Sequence, residues 1–173
     1  MAKKCTTLKT TDELIADTVF LVNDIRAKLK GDYPIKATGL TIGTSLNYVA
    51  NNQFDYTING VIITKAAVPA GSVIGAGTEV PQNKYGASSL NIDSSGTITY
   101  QEAVDNAIGY DTEEDAILGI PDPITGTARM GTVSVIRTDT FFLLGITDLN
   151  IANSTVVYTD GETNIEAIGG AVA

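Results

Sequence analysis

Residues 54–67, FDYTINGVIITKAA, hold two alternating runs joined by Asn59-Gly60. A two-residue type I′ turn needs positive φ at both central positions, which Asn and Gly tolerate best. Placing the turn there fixes the register: Ile58 faces Val61, Thr57 faces Ile62, Tyr56 faces Ile63, Asp55 faces Thr64 and Phe54 faces Lys65. One side then carries Phe54, Tyr56, Ile58, Val61 and Ile63 as the expected core face, and the other is mostly Asp and Thr. This hairpin marks an antiparallel β domain. It carries no chemistry of its own.

The surrounding composition agrees with that reading. At 173 residues the chain is one ordinary domain with room for an arm, and it is 43% apolar but only 6% aromatic. Seventeen glycines, many threonines and two helical stretches favour β structure. There is no apolar run of about 18 residues, so no membrane helix is expected. The start, MAKKCTTLKTTDEL, lacks the apolar segment of a secretory signal.

Charge divides the chain near residue 36. Residues 1–36 hold seven Lys/Arg against five Asp/Glu, while residues 37–173 hold four against fifteen. An acidic body repels phosphate and argues against a nucleic-acid partner. The basic front end, with Lys3, Lys4 and Lys9, suits an acidic surface or simply water. Cys5 is the only cysteine, which excludes an intrachain disulfide and suits a reducing cytoplasm. Lysines beside Cys5 favour its thiolate, although a bystander role is the plainer reading.

Taken in order, residues 1–10 are polar and expected to order only against a partner. Thr10-x-x-Glu13 is a capping box, and Ile15, Thr18, Val22, Ile25 and Leu29 follow in 3-4 spacing up to Gly31 and Pro34. This predicts an amphipathic helix over 12–30, with Thr18–Val22 as a competing strand. Its stripe fits the chain's own body or a neighbouring subunit equally well. The domain division is therefore an arm and helix over 1–36 and a β domain over 37–173.

Short Gly-punctuated runs at 39–43 and 46–49 read as strands feeding the hairpin, and residues 69–81 read as loops with little to bury. Leu90–Tyr100 reads as a second hairpin turning at Asp93-Ser-Ser-Gly96. Thr112 caps a short helix over 113–118 that Gly119 and Pro121 close. Runs at 132–137, 140–144 and 155–159 complete a mainly β fold, an antiparallel sandwich or barrel-like domain with one short internal helix.

Candidates for chemistry are few. With no histidine and one cysteine, His-dependent nucleophiles and His or thiolate zinc sites are excluded. No phosphate-binding glycine motif is present, and Gly75-Ala-Gly77 reads as a loop. Asn91–Glu102 imitates an EF-hand loop, with oxygen ligands at positions 1, 3, 5 and 9, Gly at 6 and Glu at 12. Its low charge and the non-helical PQNKYGASSL before it favour an Asx turn between strands over calcium. Glu113 and Glu114 are a formal carboxylate pair, but the first turn of a helix already accounts for them. Asn153-Ser-Thr155 is a glycosylation sequon with no secretory context. Neither a metal nor a cofactor is expected.

Two stretches resemble small virion proteins of tailed bacteriophages, the capsid decoration, cement and head-fibre group. The first is the 54–67 hairpin, similar to a Y-x-I-[ND]-G-x-x-x-x-K-A pattern. The second runs from the 113–118 helix and the Pro121/Pro123 loop through Ala128-Arg129-Met130-Gly131-Thr-Val133 and Phe141-Phe142 to Thr147-Asp-Leu-Asn150, Tyr158 and Thr159-Asp-Gly161. With the linking region, the resemblance covers residues 37–161. It implies a non-enzymatic subunit on the outside of a phage head, commonly a trimer, made in the bacterial cytoplasm and bound to the major capsid protein. On that reading Lys3, Lys4 and Lys9 are the candidate shell contacts. The alternatives are a head-fibre base, neck or tail component, and a carbohydrate-binding β module, against which the lack of Trp counts.

Overall fold

The computed structural model describes residues 31–161. In chain order it contains β1 (Tyr33–Pro34), β2 (Thr41–Ile42), β3 (Tyr48–Asn51), β4 (Phe54–Ile58), β5 (Val61–Lys65), β6 (Val68–Val73), β7 (Glu79–Val80), β8 (Tyr85–Asp93) and β9 (Ile98–Glu102). These are followed by α1 (Glu113–Leu118), β10 (Thr127–Arg137), β11 (Phe142–Leu143) and β12 (Ser154–Asp160). A four-stranded sheet, β12-β10-β8-β9, backs the molecule. Facing it are the smaller sheets β1-β4-β5, β2-β3-β6 and β11-β7. Every pairing is antiparallel. Among the described residues the large sheet keeps two free edges, β12 and β9, so the body is sandwich-like and not a closed barrel.

The core lies between these layers. Phe54, Tyr56 and Ile58 of β4 pack with Val49, Ile74 and Val80 and with Leu90, Ile92, Val133 and Val135 of the large sheet. β10 contributes Ala128 and Met130 at even positions, then Val133 and Val135 at odd ones. A β-bulge causes the switch. Arg129 pairs with Asn91 and Gly131 with Leu90, leaving Met130 without a partner in the register. The extra residue reverses the strand's parity, so both halves of β10 face the core.

The opposite face of β8 is also buried. Ala87 packs under α1 with Ala103, Ala116 and Ile120, which is why β8 does not alternate. Beyond Glu102, where β9 stops pairing, Asn106 substitutes for a strand. Its Oδ1 accepts from Ala87 N at 2.9 Å and its Nδ2 donates to Ala87 O at 2.8 Å.

The 54–67 hairpin has the expected register, pair for pair. Asn59 and Gly60 both have positive φ, 52° and 78°. The expected core face holds in β4 only. Val61 is 60% exposed and Ile63 half-buried, because β5 is an edge strand among the described residues and its core-side face is only partly covered. Conversely Thr57, placed on the wet side by alternation, is fully buried, and its Oγ1 donates to Gly31 O at 2.6 Å.

The loops expected over 69–81 contain two strands and two core residues, Ile74 and Val80. Pro69 and Gly71 are tolerated there because β6 pairs on one side only. The run at 140–144 contracts to β11, and the strands expected at 39–43 and 46–49 are β2 and β3, at 41–42 and 48–51. Tyr33–Pro34, near the end of the front segment, is a strand paired with β4. The helix expected over 12–30 lies outside the described residues.

Candidate functional site

Around the hairpin, side chains tie elements together. Tyr56 Oη donates to Asp93 O at 2.9 Å and Lys65 Nζ donates to Gly96 O at 2.7 Å. The middle of β4 and the far end of β5 are thus fastened to the 93–96 turn. At the other end, Asn59 N donates to Asp32 Oδ1 at 2.7 Å. Asp55 accepts from Thr64 Oγ1 at 2.6 Å and pairs with Lys36 Nζ at 2.8 Å. The Lys36 ammonium and the Thr64 hydroxyl hold its carboxyl below the ordinary carboxylate range.

The loop at 91–102 is the top of the β8–β9 hairpin, flanked by strands and not by helices. Asp93 Oδ1 accepts from Ser95 Oγ at 2.6 Å, Ser95 N at 2.8 Å and Thr97 N at 3.0 Å. This is an Asx turn, and these bonds, the Ser95 hydroxyl foremost, lower the Asp93 pKa. Asn91 Nδ2 donates to Gln101 Oε1, and Glu102 Oε1 accepts from Ala76 N. The Asp93 and Ser95 oxygens are therefore used within the turn and a Glu102 oxygen on the neighbouring loop, while Asn91 Oδ1 is buried without a protein partner. Among the described residues no group of three or more His, Cys, Asp or Glu side chains converges as a metal site requires.

Glu113 accepts from Ser134 Oγ at 2.6 Å, fastening α1 to β10. Thr112 caps the helix by accepting from Asp115 N at 3.1 Å. The carboxylate pair noted in the sequence thus has one member in a structural contact. Phe54 and Tyr56, the aromatic residues of the first hairpin, are buried, so neither offers a sugar platform. Lys3, Lys4, Lys9 and Cys5 lie outside the described residues.

One feature has no counterpart in the sequence reading. A cleft of about 460 Å³ opens between Asp32, Tyr33 and Pro34 on one side and Ile117 and Pro123 on the other, with Arg129 and Asp160 in its wall. Arg129 donates through Nη2 to Pro121 O, while its Nε is enclosed without a protein partner. Burial lowers the guanidinium pKa, and the nearby Asp122 carboxylate works against that. Asp160 Oδ1 accepts from Thr38 Oγ1 at 2.7 Å and Leu40 N at 3.1 Å. The β10 bulge aims Arg129 into this cleft. Its trace in the sequence is Gly131 interrupting a strand-like run. Asp32 and Gly161 both line it, so the two ends of the described chain meet there.

The remaining candidate surface is apolar. Val61 and Ile62 are 60% and 57% exposed on β5, and Val104, Ile108 and Leu118 project near α1. No family model, curated protein or solved structure matches this chain at a significant level.

Proposed function

We propose that this chain is a non-enzymatic virion protein that decorates and stabilises the outside of a tailed-phage capsid, self-associating, with a trimer favoured, and bound to the major capsid protein. The observation that carries the reading is the position of the two stretches resembling that group. The 54–67 hairpin and the 128–161 run pack against each other in a single core, through Tyr56 and Ile58 on one side and Met130 and Val133 on the other. A subunit repeated over many equivalent seats needs rigidity and a contact face, not a reactive centre. Modest contacts multiplied within an oligomer then give firm attachment.

The test is to locate the protein in intact particles and count its copies against the major shell protein. On the order of hundreds of copies support decoration, whereas about a dozen would place it at a neck, tail or head-fibre base. Absence from purified particles overturns the reading. Particles lacking the protein are expected to burst at lower temperature or osmotic stress.

A further inference from the structure

The edge of β5 is built for pairing. It bonds to β4 on one side, and among the described residues no strand lies on the other. In a two-residue hairpin the residues flanking the turn form a hydrogen-bonded pair, and such pairs alternate along the ladder. Val61, Ile63 and Lys65 therefore turn their backbone groups toward β4, while Ile62 and Thr64 present theirs outward. An open edge of this kind is normally blunted by charge, proline, a bulge or a cover. β6, the adjacent edge, has Pro69 and a Gly71 at φ 89°. β9 is covered at one end, where Glu102 binds the Ala76 amide. β12 ends in Asp160. β5 has only Lys65, which is turned to the Gly96 carbonyl.

Charge indicates what can sit there. The chain carries a net −9, yet from Tyr56 to Thr78 it has no acidic residue, and Lys65 is the single charge. An acidic partner copy is repelled over most of this surface and least along this strip. The carboxylate beside it, Asp55 of β4, is bonded to Thr64 and paired with Lys36, so two copies that meet along this strip bring no unpaired acid together.

We infer that β5 pairs antiparallel with β5 of a second copy across a two-fold axis near Ile63, joining two three-stranded sheets into one of six. Ile62 and Thr64 of each copy exchange backbone hydrogen bonds, and Val61 and Ile62 cover apolar surface on opposite faces of the joined sheet. This contact is isologous, so it is separate from the three-fold contact of a trimer, and it deepens the self-association named above without depending on where the protein sits in a particle.

The experiment is the solution mass of the purified full chain, by sedimentation or light scattering, for wild type, Ile62→Glu and Ile62→Pro. The proline removes only an outward-facing N–H, so the β4–β5 ladder survives it. Val104→Glu and Leu118→Glu, at exposed apolar positions elsewhere, serve as controls. The expected result is an even-numbered wild-type particle, a dimer or a pair of trimers, whose mass halves in both Ile62 variants and is unchanged in the controls. Circular dichroism establishes that each variant is folded, and if one Ile62 variant does not fold, the other decides. A wild-type monomer or single trimer overturns the pairing, as does an Ile62 variant that folds and keeps its full mass. A single trimer would leave the decoration reading standing and remove only the β5 contact.

Discussion

A methyl group at Gly131 would lie 2.4 Å from the Thr159 carbonyl oxygen and 2.6 Å from Leu40 Cδ1. The first neighbour is backbone of β12 and cannot step aside. Gly131→Ala is therefore expected to cost about 1–3 kcal/mol, as overpacking a tight site does. The check is a lower urea midpoint at unchanged m-value, and an unaltered midpoint would show that the bulge relaxes freely. Four carboxylates act in the opposite sense, as stabilisers: Asp55 beside Lys36, Asp93 in its Asx turn, Asp111 beside Lys84 and Asp139 beside Arg137 all have folded pKa values below 3.8. Because the folded values are depressed, their contribution is complete above 3.8 and fades as pH falls through the lower folded values. The thermal midpoint should thus change little on account of these groups from pH 7 to 5 and drop below about pH 4. Asp93→Asn should start lower and lose less on acidification, because the hydroxyl and amide donors around it then face a neutral acceptor at every pH.

The short helix shows how far local rules reach. Thr112 is the N-cap, with φ −128°, and the helix covers the outer face of β8 through Ala116. Thr112→Ala is expected to destabilise the fold by about 1 kcal/mol, while Thr112→Ser stays near wild type. Equal unfolding midpoints for all three would mean the helix is held by packing alone. This element, the Asn59-Gly60 turn and the Asp93 turn were legible from sequence because each is set by residues within a few positions of one another. What sequence left unread depends on partners far along the chain. Alternation placed Val61 and Ile63 on a face, but whether a second sheet extends far enough to cover that face is a tertiary fact. Pro69 and Gly71 read as loop punctuation, yet an edge strand accommodates both. The bulge at Met130 shifts parity in the middle of β10, so no single alternating pattern fits that strand. The Arg129 cleft follows from that shift and was invisible for the same reason.

At the scale of the whole molecule, two contacts of opposite electrostatic character follow from one charge distribution. The β5 pairing proposed above brings together two acidic bodies along a strip that lacks acid, so the remaining carboxylates repel at longer range. Salt shortens that reach, from a Debye length of about 10 Å at 0.1 M to about 3 Å at 1 M. Association between copies should therefore strengthen as salt rises, seen as a fall in the dissociation constant by sedimentation. The proposed attachment to heads through Lys3, Lys4 and Lys9, by contrast, would join a basic segment to an acidic surface and should weaken over the same range. Deleting residues 1–10 separates the two. The truncated chain should keep its β domain, its number of copies per particle in solution and the salt-strengthened association, and lose occupancy on heads most at low salt, where the basic residues contribute most. Equal occupancy with and without those residues would remove the lysines as shell contacts, and association that weakens with salt would mean that the surface joining two copies contains charge pairs absent from the strip between Tyr56 and Thr78.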